Sequence, residues 1–190
     1  IDVDAVIGSA DYHHVENSLL DSGLQNYSEN YWDKRNMSPS CLIFYIGVNK
    51  KLKNITHHNL FFHTDIEQHS KQIHTQPEWP TDPLFYVCCP SKTDNSVAPE
   101  GSENLFFLIP IASGLEDTSE TRSHYYDLVL EKFEDITGQN IKEHIVYKKS
   151  YCINDFKEDY NAYKGNAYGL ANTLNQTANL KPKIKSKKVD

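Results

Sequence analysis

The chain has 190 residues, of which 38% are hydrophobic, so it is long enough for one compact domain and too apolar for a disordered protein. Its formal net charge is -7, and the only basic cluster lies in 181–188, which argues against a nucleic-acid partner. No apolar run approaches the roughly 20 residues of a membrane-spanning helix. The first residues lack the basic segment of a signal peptide. The four cysteines do not form a disulfide-scaffold pattern, which predicts reduced thiols and a cytoplasmic location.

The first 25 residues predict a strand, a loop and a helix. Residues 3–8 are largely apolar and short, as expected of a strand, and residues 14–20 place apolar side chains at helical spacing. Such a unit is half of a nucleotide-binding element. It needs neighbouring parallel strands, which the rest of the sequence does not clearly supply.

A β-rich region follows from Tyr31. Short apolar runs separated by Pro, Asn or Gly predict one sheet of about four to six strands. The predicted strands are residues 41–48, 60–63, 84–89, 105–109 and 145–151.

Three helices are predicted around these strands. Two begin at capping-box spacings, Thr64 with Glu67 and Asp117 with Glu120, and the third begins at a cap on Asn154. The second helix should end at Gly138 and pack an apolar stripe against the sheet. That stripe consists of Tyr125, Val129, Phe133 and Ile136. These elements predict an α+β fold with a mixed, mostly antiparallel sheet packed against helices.

Histidine is the first candidate for chemistry, because nine are present. None has the His-x-x-x-His spacing of a helical zinc site, so no metal ligand is predicted, and a site assembled from distant histidines is the alternative. The glycines form neither a G-x-G-x-x-G nor a Walker motif, so the chain itself has no recognisable dinucleotide anchor. A nucleophile elbow of the G-x-S-x-G type is also missing. The catalytic residues are therefore left unassigned.

The segment from Tyr163 to Gly169 is the most distinctive in the sequence. Two glycines bracket small residues and one aromatic residue, which lets the backbone approach something flat and closely packed. The plainer interpretation is a turn packed against the sheet.

Several segments, taken together and in order, resemble the phytoene-desaturase-type carotenoid desaturases. They are Ala10 to Glu16, Ser38 to Ser40, Asp82 to Gly101, and Tyr163 to Pro182. The resemblance covers nearly the whole chain. It implies an FAD-dependent enzyme about twice this length, of which the chain is an internal fragment; the absence of an initiator methionine fits that expectation.

The resemblance also implies a division of the chain. Residues 1–25 and 163–190 would be partial elements of a Rossmann-like FAD-binding domain, and residues 26–162 would form the substrate-binding domain. Hydride would pass from a carotenoid polyene, phytoene or a related compound, to FAD, so the protein needs mainly to bind and align its substrate. The fragment alone is expected to be inactive and not to hold FAD. Peripheral contact with the inner face of the membrane is left open for the complete enzyme.

Residue by residue, the resemblance implies two sets of contacts. The cofactor-binding set is Ser9, Ala10, Asp11, Gly165 and Gly169, and the substrate-binding set is Lys164 and Tyr168. Two alternatives are kept. One is a saturase or isomerase of the same superfamily acting on a polyene or retinoid, and the other is a stand-alone module that binds a hydrophobic ligand.

Overall fold

The computed structural model describes residues 2–183, 185, 188 and 189. A short helix α1 runs into a π-helical turn, and four further α-helices and five strands follow among the described residues. The helices are α1 (Tyr12–His14), the π-helical turn (Val15–Leu19), α2 (Glu29–Asp33), α3 (Ile66–His74), α4 (Ser119–Thr137) and α5 (Ile153–Tyr160). The strands are β1 (Ser40–Val48), β2 (His58–Phe61), β3 (Phe85–Cys88), β4 (Glu103–Ile111) and β5 (Ile145–Tyr151).

The strands form one open sheet in the order β2-β3-β4-β1-β5. Every neighbouring pair in the described part of the chain is antiparallel. The central pair is the longest, with β1 and β4 aligned from Ser40 opposite Ile111 to Val48 opposite Glu103. The predicted α+β class is therefore confirmed, and the described sheet is antiparallel throughout, where a mixed, mostly antiparallel one was expected.

One face of the sheet is covered by α4. Phe133 packs its ring against those of Phe107 and Phe61, with centroids 5.2 Å and 5.6 Å away, and Tyr126 meets Phe44 at 5.4 Å. Because successive strand residues point to opposite faces, β4 buries every second side chain here. The hydrophobic core thus lies between α4 and this covered face.

The apolar stripe of α4 is confirmed at three of its four positions. Tyr125, Val129 and Phe133 are buried, whereas Ile136 is 50% exposed. Thr137 is buried in its place, and its hydroxyl donates to the carbonyl of Phe133 at 2.6 Å. Gly138 ends the helix in the left-handed conformation, with φ at 67°, as predicted.

The predicted caps of the helices were each displaced by one or two residues. Asp65 caps α3 in place of Thr64 and accepts from Glu67 N at 2.9 Å, and Thr118 caps α4 in place of Asp117. Helix α5 begins after Cys152, whose N–H donates to the Asp155 carboxylate at 2.8 Å, and not at Asn154. The cap shifts from Asp117 to its neighbour because the Asp117 carboxylate binds Arg122, with Oδ1 at 2.6 Å from Nε.

The strand predicted over residues 3–8 does not form. Val6 and Ile7 are 84% and 92% exposed, and no strand lies beside them in the part of the chain that is described. The predicted helix after it is present as α1 and the π-helical turn. Parallel strands, which a Rossmann-like element requires, are not found among the described residues, so that expectation is not confirmed.

Of the basic cluster 181–188, Ile184, Ser186 and Lys187 lie outside the described residues. Across the described part, none of the helices combines the length and the apolar character that crossing a bilayer requires.

Candidate functional site

Asp11 joins the two ends of the described chain. Its Oδ1 accepts from His14 N at 3.3 Å and so caps α1, while its Oδ2 accepts from Tyr163 N at 3.2 Å and from Asn166 Nδ2 at 3.1 Å. A carboxylate that accepts three N–H groups fixes the geometry around it. The segment 9–14 is therefore held beside the loop 163–169, although more than 150 positions separate Asp11 from Asn166 in the sequence.

The loop 163–169 is also attached to the residues that lead into β1. Ser38 N donates to Gly169 O at 2.8 Å, Ala167 N donates to Pro39 O at 3.1 Å, and Tyr168 N donates to Ser38 Oγ at 2.9 Å. These bonds bring together three of the segments on which the resemblance rests. The residues of these three segments, although distant in sequence, form one continuous structural unit.

The two glycines of this loop have different surroundings. Gly165 is buried with φ at +65°, and a Cβ there would lie 2.6 Å from Ile153 Cγ2, so it allows the loop to pack on α5. Gly169, with φ at +78°, has no heavy atom within 4 Å of the position of a Cβ. For Gly165, the structure therefore agrees with the plainer interpretation of a packed turn.

Four of the five residues predicted to bind the cofactor line a single cavity of 590 Å³, named here the loop cavity. They are Ser9, Ala10, Asp11 and Gly169. Much of the rest of its wall comes from the sheet and from α5. Those residues include Ile43, Tyr45, Tyr151, Phe156 and Tyr160. Gly165 is not among the lining residues.

The two residues predicted to bind substrate lie elsewhere. Tyr168 is 81% exposed and lines a neighbouring cavity of 380 Å³, which shares Ala10 and Tyr12 with the loop cavity. Lys164 accepts a hydrogen bond from Gly114 N at its carbonyl, and its Nζ lies 4.0 Å from Asp33 Oδ1. Lys164 is therefore directed toward an acidic side chain and not into either cavity.

A larger apolar cavity of 690 Å³, the sheet cavity, lies on the face of the sheet opposite α4. We call this face the open face. Its cross-strand rows can be read from the strand pairing, since residues directly opposite each other in a sheet share a face. Three of these rows are Leu60, Tyr86, Leu108, Ile43 and Tyr151; then His58, Cys88, Phe106, Tyr45 and Lys149; and then Asn104, Gly47 and Tyr147.

Four aromatic residues, Tyr45, Tyr86, Phe106 and Tyr147, line the sheet cavity. The ring of Phe106 meets those of Tyr45 and Tyr86 with centroids 5.5 Å and 6.4 Å away. Tyr45 lines both the sheet cavity and the loop cavity, so the two cavities share one wall. Burial and the neighbouring Cys41 and Tyr160 raise the pKa of Tyr45, so its phenol is neutral at physiological pH.

One carboxylate borders this apolar space but is turned away from it. The Glu103 side chain is 1% exposed, and it accepts from Lys92 Nζ at 2.9 Å and from the Ser91 hydroxyl. Although burial opposes ionisation, the hydrogen bonds from Ser91 and Lys92 hold the Glu103 pKa below its usual value. The charge is thus neutralised internally, and the cavity wall stays apolar.

The aromatic residues were predicted to lie in strands, but the sequence alone did not show which of them belong to the core and which line a cavity. The signal that would have done so is the strand period: Phe106 and Phe107 are adjacent, so only one of them can face α4. It also missed the close approach of His57, His58 and Cys88, whose potential ligand atoms lie within 4.8 Å of one another. That approach arises from cross-strand pairing, which a search for helical spacing does not detect.

Comparison with known proteins finds no matching family model but several curated relatives. Carotenoid 3,4-desaturase of Haloarcula japonica is 46% identical over 187 residues, which cover 98% of this chain and 38% of that protein. 4,4'-Diapolycopen-4-al dehydrogenase of Metabacillus indicus is 31% identical over 152 residues, covering 80% and 31%. 4,4'-Diapophytoene desaturase of Staphylococcus haemolyticus is 30% identical over 188 residues, covering 94% and 37%. The chain thus spans less than two fifths of the length of these relatives.

Proposed function

Because the chain belongs to the carotenoid desaturase family, we propose that it forms the substrate-binding part of an FAD-dependent enzyme that desaturates a carotenoid polyene. In this proposal residues 26–162 bind the substrate, and residues 1–25 and 163–190 contact the flavin side of the site. The observation that carries it is the wall shared by the two cavities, Tyr45. One cavity holds the residues expected near the cofactor, and the other offers a long apolar surface.

The open face suits a hydrocarbon. Neighbouring strands lie about 4.8 Å apart, so the row from Cys88 through Phe106 to Tyr45 spans about 10 Å of apolar wall. A polyene laid along it would bury apolar surface on both partners, which stabilises the complex by about 25 cal/mol for each Å². Aromatic rings add flat contact area at little entropic cost. The chain's own role is to bind the polyene, align it toward the loop cavity and exclude water.

The loop cavity suits the ring part of a flavin. Ser9, Ala10 and Gly169 are small, and the space beside Gly169 is open, so a flat group can approach the backbone there. The chain lacks a glycine-rich phosphate loop, so the diphosphate is assigned to residues beyond this chain. When bound, FAD would supply the acceptor for the hydride.

The polyene proposal is tested with the whole gene product, incubated with phytoene and with hydroxylated carotenoids. Desaturation lengthens the conjugated system, so a red shift in absorption and a product lighter by two hydrogen atoms are expected. Replacing the open-face ring with Phe106→Ala should lower kcat/KM about 10-fold, because contact area with the polyene is lost. Ile136→Ala, on the exposed side of α4, is the control. An unchanged kcat/KM in Phe106→Ala would show that the open face does not bind the substrate.

The flavin contact has its own test. Gly169 and Gly101 have nearly equal φ angles, +78° and +76°, and neither has a heavy atom within 4 Å of a Cβ position. Gly169→Leu and Gly101→Leu therefore carry the same backbone strain, but only the first adds a side chain in the loop cavity. We expect less flavin per mole of protein in Gly169→Leu alone, measured by absorbance after purification. Equal flavin content in the two variants would argue against the assignment.

A second candidate is oxidation at the end of the polyene, since the Metabacillus indicus relative is named 4,4'-diapolycopen-4-al dehydrogenase. Product mass separates the reactions. Desaturation removes two hydrogen atoms, terminal oxidation adds oxygen, saturation adds two hydrogen atoms, and isomerisation leaves the mass unchanged. Binding without turnover would favour the stand-alone binding module.

A further inference from the structure

The strands β2 and β3 bring three metal-ligating side chains together at one end of the open face. His58 lies directly opposite Cys88 in the antiparallel pair, and His57 O accepts from Cys89 N at 2.7 Å. The potential ligand atoms of His57, His58 and Cys88 lie within 4.8 Å of one another. Because paired backbones fix all three positions, the cluster is a property of the fold and not of flexible surface chains.

Both imidazole rings are oriented by hydroxyl groups. His57 Nδ1 is 2.6 Å from Thr93 Oγ1, and His58 Nδ1 is 2.5 Å from the Tyr86 hydroxyl. Among the described residues, Nε2 of neither ring makes a hydrogen bond. A metal-ligating histidine usually bonds a second group through its other ring nitrogen, which fixes the tautomer and the ring plane. Each ring of this pair makes such a bond at Nδ1, so Nε2 would have to be the atom that binds an ion.

We propose that His57, His58 and Cys88 bind a zinc ion, with water as the fourth ligand. Zn²⁺ prefers imidazole nitrogen and thiolate sulfur in tetrahedral sites, and three protein ligands with an exchangeable fourth position are a common arrangement. Ligand atoms in such a site lie about 3.3 to 3.7 Å apart. The potential ligand atoms, which lie within 4.8 Å of one another, would reach this separation if side-chain rotation moved them by about 1 Å. On binding, the Cys88 thiol loses its proton to solvent and the thiolate becomes the ligand.

The position of the site relates it to the sheet cavity. Cys88 and Tyr86 line that cavity, and Cys88 is followed along its cross-strand row by Phe106 and Tyr45. A zinc ion here would therefore sit at the end of the sheet cavity remote from the loop cavity. The inference rests on the three ligands alone and stands or falls independently of the proposed polyene chemistry.

Zinc binding is measured on the purified protein after removal of metal. Titration with Zn²⁺ followed by calorimetry should give a site that Cys88→Ser and His57→Asn each weaken at least 10-fold. His74→Asn, an exposed histidine on α3, is the matched control and should leave the affinity unchanged. If the cluster variants bind Zn²⁺ as tightly as the control, or if the unaltered protein does not bind Zn²⁺, the proposal is wrong.

A second measurement needs no substitution and so survives a variant that fails to fold. Cys88 is partly exposed, whereas Cys41, Cys89 and Cys152 are buried. Alkylation under native conditions, mapped by peptide mass, should modify Cys88, and Zn²⁺ should protect it while Mg²⁺ does not. Co²⁺ in place of Zn²⁺ should give a thiolate charge-transfer band. Equal alkylation of Cys88 with and without Zn²⁺ would overturn the proposal.

Discussion

The two faces of the sheet are made by the same strands but have different surroundings. On the covered face, Phe44 and Phe107 are at most 1% exposed beneath α4. On the open face, Tyr45 is 39% exposed, and Phe106 and Tyr86 are partly exposed around the sheet cavity. Alternation along each strand thus separates the side chains of the core from those that solvent or a ligand can reach. Residues one position apart are expected to respond to mutation in different ways.

The largest expected difference lies between two adjacent phenylalanines. Phe107→Ala should lower the free energy of unfolding by about 3 to 5 kcal/mol, because it leaves a cavity against Phe133 and Phe85. Phe106→Ala should cost less than about 1.5 kcal/mol, since its ring is already partly in contact with solvent. Urea unfolding of both variants measures the difference. Equal losses would show that the open face is also part of the core.

Gly165 and Gly169 allow the same comparison between a packed position and an open one. Gly165→Ala should destabilise the protein by about 2 to 3 kcal/mol, since a left-handed residue would gain a Cβ that overlaps Ile153. Gly169→Ala carries the backbone strain alone, about 1 kcal/mol, because the loop cavity has room for the methyl group. Thermal unfolding resolves the two values. A Gly169→Ala variant as unstable as Gly165→Ala would contradict an open loop cavity.

A buried histidine supports the helix α3 against the sheet. His69 Nε2 donates to Pro110 O at 2.8 Å, and its Nδ1 accepts from Leu84 N at 3.1 Å, so the ring must be neutral. Burial lowers the pKa of His69 below its usual 6.5, although the bond to Pro110 partly opposes the shift. His69→Gln should cost about 2 kcal/mol at neutral pH, because one buried backbone group loses its partner.

The same histidine makes stability depend on pH. Because the folded-state pKa of His69 is depressed, the unfolded chain binds the proton more readily. The contribution of His69 to stability should therefore be fully present above about pH 6.5, the pKa of the unfolded state. It should fall as the pH drops through the lower pKa of the folded state. Urea unfolding as a function of pH should show a smaller loss in His69→Gln. The exposed control His74→Asn should retain the full dependence, and a pH profile of His69→Gln equal to that of the unaltered protein would refute the assignment.

The sequence predicted the five strands of the sheet, but it also predicted one that does not form and did not predict the contacts between distant segments. Strand β5 was predicted with the bounds that it has, Ile145–Tyr151, because a short run that begins with β-branched and aromatic residues is a local signal. The strand predicted over residues 3–8 does not form, because a strand requires a neighbouring strand and the apolar content of a segment does not specify one. The link from Asp11 to Asn166 and the His58–Cys88 pair depend on contacts between distant segments, which spacing along the chain does not encode.

The cap of α4 was also displaced from its predicted position, by a contact that residue spacing does not show. Its loss is expected to lower the free energy of unfolding less than the substitutions above. Thr118 Oγ1 accepts from Thr121 N at 3.1 Å at the start of α4, whereas Asp117 binds Arg122. Thr118→Ala should therefore cost about 1 kcal/mol, the usual loss for an N-cap, and Ser119→Ala almost nothing because Ser119 is exposed and does not cap. The helix α4 covers one face only, so the loss should appear in urea unfolding with no change in polyene affinity. A weaker polyene affinity in Thr118→Ala would mean that the two faces are coupled through the sheet.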